Sequence, residues 1–330
     1  MIKNILITGG AGYIGSHVAE ILIKNKKRVI ILDNLSTGFK RLINKKAKFF
    51  KADIKNTKKI NQILNKYKID AVIHLAANLV IGEGQKYPKK YYNNNVLGTK
   101  SVLEALKNTK VKNFIFSSTA AVYKDGLYRV KETSPIRPKS VYGKTKLKAE
   151  KLIQSYCKKL KINFGILRYF NIVGASPSNK IGLINKNDHL FKNFATETFK
   201  KKPVLKVYGS NYNTDDGSCI RDFIHVSDIA EIHLKVLEKI NKVNQSKILN
   251  CGYNKGTSVL EVAKEFKKHS KKDIKIINLP KRKGDLAKII ADNKKLHQFI
   301  KWQPKYNMLK TMVKSSINWE KKLKRKQFLE

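Results

Sequence analysis

The fold is decided by Ile5-Leu6-Ile7-Thr8-Gly9-Gly10-Ala11-Gly12-Tyr13-Ile14-Gly15. A short apolar run reads as a strand, three glycines follow at positions 9, 12 and 15, and a helical pattern then runs through Ile23. Such a turn suits a phosphate. One glycine permits the tight bend, one lets backbone approach a pyrophosphate, and the last lets the helix pack close to the sheet, with free N–H groups at the helix start. A glycine triplet alone reads equally well as a turn; its place between a strand and a helix selects the dinucleotide reading. Gly9, Gly12 and Gly15, with Tyr13 and Ile14 at the helix start, are the first candidate cofactor contacts.

Outward from this turn, strand-like and helical segments alternate. Strands are expected at Val29–Leu32, Phe49–Ala52, Ala71–Ala76, Phe114–Ser117 and Phe164–Tyr169, with helices from about Tyr87 to Lys107 and over Ser140–Lys161. This rhythm predicts an α/β fold, a Rossmann-like doubly wound parallel sheet. After about Asn171 it breaks. Gly174–Asn187 reads as loop, and the remainder of the chain as a smaller mixed α/β substrate lobe. The expected division is residues 1–172, with about 220–252, for the dinucleotide domain, and 173–219 with 253–330 for the lobe. The tail Lys321–Glu330 reads as a solvated helix end.

Composition sets limits. With 42% hydrophobic and 9% aromatic residues among 330, the chain can build a core and does not read as disordered. The net charge of +46 comes mainly from Lys, 62 of the 70 basic residues, spread over every segment. Readers of nucleic acid lean on Arg forks and stacked aromatics, so no specific nucleic-acid partner is expected. Three cysteines, with no C-x-x-C pair, speak against a disulfide framework and a cysteine zinc site. No metal is expected, since His74, His225 and His233 lack ligand spacing. The opening residues show no secretory pattern and no apolar run approaches a membrane span, so the expected location is cytoplasmic.

Two sites carry the chemistry. Asp33 ends the second strand, where a carboxylate accepts from both ribose hydroxyls of adenosine and repels a 2′-phosphate; this favours NAD over NADP. Asn34 follows it. Asp53-Ile54, after the third strand, reads either as an adenine contact or as a helix cap. Tyr142 and Lys146 stand four apart and so share a helix face. The ammonium, with a positive nicotinamide, is expected to lower the tyrosine pKa and make it an acid/base near neutral pH. Spacing alone does not single the pair out, because Tyr306 and Lys310 repeat it. Context does: Tyr142 follows Phe116-Ser117-Ser118-Thr119, at the strand edge where doubly wound folds bind ligands, whereas Tyr306 reads as packing.

Further segments sharpen the reading. They are Ile31-Leu32-Asp33-Asn34-Leu35-Ser36, Ser117-Ser118-Thr119-Ala120-Ala121-Val122-Tyr123, Leu167-Arg168-Tyr169-Phe170-Asn171, Asp216 through Val226, and Arg282-Lys283-Gly284-Asp285. With the glycine turn and the Tyr142/Lys146 pair, the chain resembles the extended short-chain dehydrogenase/reductase family, and within it the UDP-hexose 4-epimerases. The resemblance implies tightly held NAD, a UDP-sugar substrate, a homodimer, and interconversion of UDP-galactose and UDP-glucose through a 4-keto sugar. Tyr142 would take and return the 4-hydroxyl proton, Thr119 would hold that hydroxyl, and Lys146 would bind the nicotinamide ribose. Leu75, Ala76 and Ala77 would line the cofactor path, and Asn94 would hold the cofactor from the long helix. Asn171, His189 and Leu190 would contact the nucleotide sugar. Arg221 and Arg282 would grip the diphosphate and Asp285 the uridine ribose; loop-capping, structural and turn roles are the respective alternatives for Asn171, His189 and Asp285. Three departures from the pattern stand out: Leu79 for a cofactor-side Lys, Lys124 for a Gly, and Ile289 where pocket size decides tolerance of an N-acetyl group.

Neighbouring chemistries fit less well. A 4,6-dehydratase is expected to carry Asp-Glu after the catalytic Thr, where this chain has Ala120-Ala121, and the Glu of a glucuronate decarboxylase is absent. UDP-N-acetylglucosamine and UDP-glucuronate remain open as substrates. A non-catalytic NAD sensor would be expected to lack the Tyr or the Lys.

Overall fold

The computed structural model describes residues 2–185, 189–282 and 284–325. In chain order, the first half runs β1 (Asn4–Thr8), α1 (Tyr13–Lys24), β2 (Arg28–Asp33), β3 (Lys48–Lys51), α2 (Thr57–Lys66), β4 (Ala71–His74), α3 (Ile81–Lys86), α4 (Pro88–Tyr92), α5 (Gly98–Ala105), β5 (Asn113–Thr119), β6 (Arg129–Val130), α6 (Val141–Leu160) and β7 (Asn163–Tyr169). The second runs β8 (Asn171–Val173), α7 (Leu190–Glu197), β9 (Val204–Tyr208), β10 (Ile220–Arg221), β11 (Phe223–His225), α8 (Val226–Val243), β12 (Lys247–Cys251), β13 (Thr257–Ser258), α9 (Val259–His269), β14 (Lys275–Leu279), β15 (Lys288–Ala291), α10 (Lys294–Ile300) and α11 (Leu309–Lys324).

Seven parallel strands form the main sheet in the order β12-β7-β5-β4-β1-β2-β3. Side chains alternate across it, which is why its strands read as unbroken apolar runs. Ile5, Ile7, Ile31 and Ile73 meet α1, α8 and α10 on one face. Leu6, Ile30, Leu32, Val72 and Phe114 meet α2, α5 and α6 on the other. The strand order reverses direction of growth at β1, between β2 and β4, so a crevice opens at the carboxyl edge there.

A second core, formed by Val173, Phe191, Phe194, Leu205, Phe223, Phe266 and Val313, joins α7, β9, α9 and α11. The strands outside the main sheet belong to a small sheet β13-β10-β15-β6 and to the pairs β11-β8 and β14-β9. From the C-terminal region, α10 packs its Leu296 and Ile300, followed by Trp302, on the main sheet's core rather than on the second one. All three cysteines are buried and unpaired. Among the described residues no helix is long and apolar enough to cross a membrane. Asn187 and residues 326–330, which fall in the expected loop and tail, lie outside the described residues, as does Lys283.

The helix expected from Tyr87 to Lys107 is interrupted. Between α4 and α5 the backbone takes one π-helical turn, Asn93–Leu97, a widening common at functional positions. The strand expected to reach Ala76 ends at His74, and the one expected to end at Ser117 continues to Thr119.

Candidate active site

The glycine turn joins β1 to α1. Gly9 has φ +74°, and a Cβ there would lie 2.6 Å from the Ala76 nitrogen, so the turn lies against Leu75-Ala76 just beyond β4. A Cβ at Gly15 would come within 2.2 Å of the Gly9 carbonyl. The close packing that Gly15 allows is therefore between helix and turn, not helix and sheet as expected. Gly12 precedes α1 at the cap position, which has no side-chain cap and no acid in the first turn that follows, leaving N–H groups at a positive helix end for a phosphate. Tyr13 is fixed by its hydroxyl, which donates to the Gly174 carbonyl at 2.6 Å; only its backbone is left for a cofactor. Ile14 packs its side chain on the main core.

Asp33 is 8% exposed. Its carboxylate accepts from the N–H of Ala11, in the turn, at 3.0 Å and from that of Leu35 at 2.8 Å. Burial raises its pKa from the ordinary carboxylate value while these two bonds oppose the rise. Asp33 thus braces the glycine turn as well as standing at the ribose position. Asn34 donates to Asp53 at 3.1 Å. The cap of α2 is Asn56, which accepts from Lys59 N–H at 2.9 Å. That removes the cap reading of Asp53, which instead accepts from Lys55 N–H at 2.8 Å. Ile54 is buried in the core below α5.

The π turn carries Asn94 and Asn95. Asn95 clamps the backbone of Asn78, accepting from its N–H at 2.8 Å and donating to its carbonyl at 3.0 Å, and reaches Thr145 on α6 at 3.2 Å. Asn94 is half-buried and donates to Asn95 at 3.1 Å. Ala77, Asn78 and the exposed Leu79 are thereby fastened to the helix beside the crevice.

On the other side of that crevice, β5 ends in Ser117-Ser118-Thr119 and α6 begins at its cap Ser140, which accepts from Gly143 N–H at 3.0 Å. The cap sets Tyr142 in the first turn of α6, its phenol facing the Thr119 hydroxyl. Lys146, 1% exposed, extends one turn further, with Nζ 3.4 Å from Ser117 Oγ and 4.3 Å from the Phe116 ring centroid. In the protein alone burial governs both groups. It pushes Tyr142 up to about 12 against the Thr119 hydrogen bond, and pulls Lys146 down to about 7 against the charge of Glu150. The expected lowering of the Tyr142 pKa belongs to Lys146 together with a positive nicotinamide; in the protein alone desolvation sets the direction.

Glu150 belongs to the residues that sequence reasoning missed. It is 1% exposed and paired with the equally buried Arg168 on β7. The signal was available as an acid one turn after Lys146 on a helix face otherwise made of Thr145, Ala149, Ile153 and Cys157.

The remaining candidates lie on segments after β7. Arg221 lies 3.7 Å from Asp285 and donates through Nη1 to the Ile220 and Leu286 carbonyls at 3.0 and 2.7 Å. Arg282 stacks its guanidinium 3.7 Å above the Tyr208 ring centroid, a platform not foreseen from sequence. Asp285 N–H also closes a turn onto Arg282. His189 donates through Nε2 to the Ile172 carbonyl, 2.6 Å away; its buried Nδ1 has no partner in the described structure, and burial lowers its pKa. Leu190 opens α7 against the second core, and Asn171 is exposed at the start of β8. Ile289, opposite Arg221 in the small sheet, packs against the cluster of Ala120, Tyr123 and Phe170 just past Thr119. Lys124 is exposed, its N–H bonded to the Pro135 carbonyl. Tyr306 stacks on His225, with centroids 4.7 Å apart.

Residues 5–252 match the NAD dependent epimerase/dehydratase family. The chain is 39% identical over 319 residues to UDP-glucose 4-epimerase of Halalkalibacterium halodurans, covering 96% of this chain and 95% of that one. Its fold superposes with a TM-score of 0.94, at 32% identity and over 98% and 99% of the two chains, on UDP-glucose 4-epimerase from Stenotrophomonas maltophila with bound NAD and formylated UDP-arabinopyranose. The UDP-Glc/GlcNAc 4-epimerase of Campylobacter jejuni superposes at 0.85, with 39% identity and coverage of 97% and 99%.

Proposed function

The chain belongs to the NAD dependent epimerase/dehydratase family, and from that premise we propose that it epimerises a UDP-hexose at carbon 4, interconverting UDP-galactose and UDP-glucose. One observation carries the assignment of roles: the Tyr142 phenol faces the Thr119 hydroxyl at the end of β5, with Lys146 one helical turn away.

NAD fits the residues present. The uncapped start of α1 would take its diphosphate through backbone N–H groups, Asp33 its adenosine ribose, and Gly9, Gly12, Tyr13, Ile14, Gly15, Asn34, Asp53, Ile54, Leu75, Ala76, Ala77 and Asn94 would line the path. NAD supplies the hydride acceptor and donor that turn the sugar's carbon 4 into a ketone and back. Tyr142 removes the proton from the 4-hydroxyl and later returns it to that oxygen; inversion comes from the sugar presenting the other face of carbon 4 to the returning hydride. Thr119 orients that hydroxyl. Lys146 offsets the phenolate charge and binds the nicotinamide ribose. Arg221 and Arg282 take the substrate's diphosphate, Asp285 the uridine ribose, and Asn171, His189 and Leu190 the rest of the nucleotide sugar. We propose the division expected from the sequence, 1–172 with about 220–252 for the dinucleotide domain and 173–219 with 253–330 for the lobe, changed in that α10 is assigned to the dinucleotide side. Ile289, beside the strand end that bears Thr119, is the residue we assign to accepting or excluding an N-acetyl group.

The functional unit proposed is a homodimer. Tyr87, Tyr92 and Leu97 leave 48%, 38% and 42% of their surface exposed around α4 and the π turn. A groove lined by Pro88, Tyr92, Val141 and Lys148 runs between this segment and α6, and an apolar face of this kind favours a second copy. The cytoplasm is the compartment proposed, supported by three unpaired thiols.

Tyr142→Phe tests the assignment. Turnover of UDP-galactose should fall by at least a hundredfold, while NAD released on denaturation matches the unmodified protein. Unchanged turnover would remove Tyr142 as the acid/base.

A further inference from the structure

One turn beyond Lys146, on the same face of α6, lies a buried charge that the proposed chemistry does not use. The Glu150 carboxylate accepts from Ser118 Oγ at 2.5 Å and from Arg168 at 3.0 Å through Nε and 2.7 Å through Nη2. Arg168 is anchored in turn: Nη1 donates to the Tyr123 hydroxyl at 3.1 Å, and Tyr123 donates to Asn250 at 2.6 Å. Strand β5 therefore offers adjacent serines to the two charges, Ser117 to Lys146 and Ser118 to Glu150. The charged and titratable groups around Lys146 are few. His74 on β4 is neutral at pH 7, held down to about 3 by burial and by the lysine's charge. Tyr142 precedes Lys146 on α6, and both Tyr91 on α4 and Tyr169 on β7 face Tyr142. Arg168 is a cation. Of the described groups acting on Lys146, Glu150 supplies the negative charge.

We infer that Glu150 is a positioning residue: its carboxylate, locked by Arg168 and Ser118, is the counter-charge that keeps the Lys146 ammonium protonated beside Tyr142. A buried carboxylate–guanidinium pair need not stabilise a fold, since apolar replacements of such pairs are often neutral. Here the pair has a charged neighbour. Lys146 lies four residues before Glu150 on the same buried face of α6, and, drawn toward neutrality by burial, it is the group whose charge depends on that nearby carboxylate. The inference rests on the assignment of Lys146 to tuning Tyr142.

The test is a double-mutant cycle on the NAD-loaded protein with Lys146→Met and Glu150→Gln, read as Tm at pH 6 and at pH 9.5. The two substitutions should be non-additive at pH 6, where the ammonium is charged, and additive at pH 9.5, where it is neutral. Additivity at both pH values, or equal coupling at both, would overturn the inference. In kinetics, Glu150→Gln should move the alkaline limb of kcat down by about one pH unit, and Glu150→Asp should restore it; an unmoved limb would also overturn it. If Glu150→Gln alone does not fold, the double substitution Glu150→Gln with Arg168→Met removes the pair as a unit and carries the same measurements. Full turnover by Lys146→Met would instead refute the tuning role of Lys146, while the Tm cycle still judges the pairing.

Discussion

At neutral pH the Tyr142 phenol keeps its proton firmly, and the Lys146 ammonium is close to losing its own, because both are desolvated. A positive nicotinamide nearby is what would bring the phenol toward its working range, which ties the acid/base to the loaded state. The lysine carries a cost in stability whose sign is fixed. Its folded pKa lies near 7, below the unfolded value, so the unfolded chain binds the extra proton between pH 7 and about 10.4. The cost is fully present below pH 7 and is relieved as pH rises toward the unfolded pKa. Lys146→Met should therefore stabilise the apoprotein by an amount on the order of 3 kcal/mol at pH 6, and by little near pH 10.5. Urea unfolding at both pH values measures this, and an equal gain at both would show that the lysine is not desolvated. Asp33→Ala should weaken NAD at least tenfold and narrow the preference for NAD over NADP, read by titrating both cofactors into stripped protein; no change in either would remove Asp33 from the ribose. Asp33 was legible because its place at a strand end is local in sequence. Glu150 and Arg168 were not: their pairing spans 18 residues, and their meaning depends on burial that only the packed fold supplies.

At the scale of elements, the glycine turn, α1 and the short parallel strands of the first half follow from local periodicity, and the main sheet forms where that periodicity put strands, with β12 added at its edge from a segment not expected as a strand. The π turn at Asn93–Leu97 did not show itself, because three consecutive asparagines on a helical pattern read as a polar face. Only the reach of Asn95 to Asn78 and Thr145 explains it. The Arg282–Tyr208 stack was hidden likewise, since it joins segments far apart in the chain. Gly15→Ala tests the helix–turn contact. A methyl group 2.2 Å from the Gly9 carbonyl forces α1 away from the turn, and NAD retention should drop at least tenfold, a loss of order 1–3 kcal/mol. NAD released from purified variant and unmodified protein is the comparison, and equal retention would contradict the close approach.

For the whole molecule, the imidazoles buried among its elements set an acid limit. Burial lowers His17 and His233 to about 4 and His74 and His225 to about 3. His74 bridges β1 and α5 through Thr8 at 2.6 Å and Thr99 at 3.0 Å. Depressed imidazoles remain neutral in the fold while the unfolded chain takes up protons below about pH 6.5, so stability is complete above that pH and falls as pH drops toward 4. Tm should decline steadily from pH 6.5 to 4.5, and His74→Asn should flatten the slope; an unchanged slope would remove His74 from this limit. Association is a property of the same scale. Tyr92→Glu with Leu97→Glu should give a monomer in sedimentation velocity, and a dimer that survives both would displace the interface from α4. The most direct test of the central claim is proton NMR of the purified protein with UDP-galactose and no added NAD. The expected result is the anomeric signal of UDP-glucose growing to a fixed equilibrium ratio, driven by cofactor the protein has kept. No UDP-glucose, even after NAD is added, would contradict 4-epimerisation of UDP-galactose by this chain.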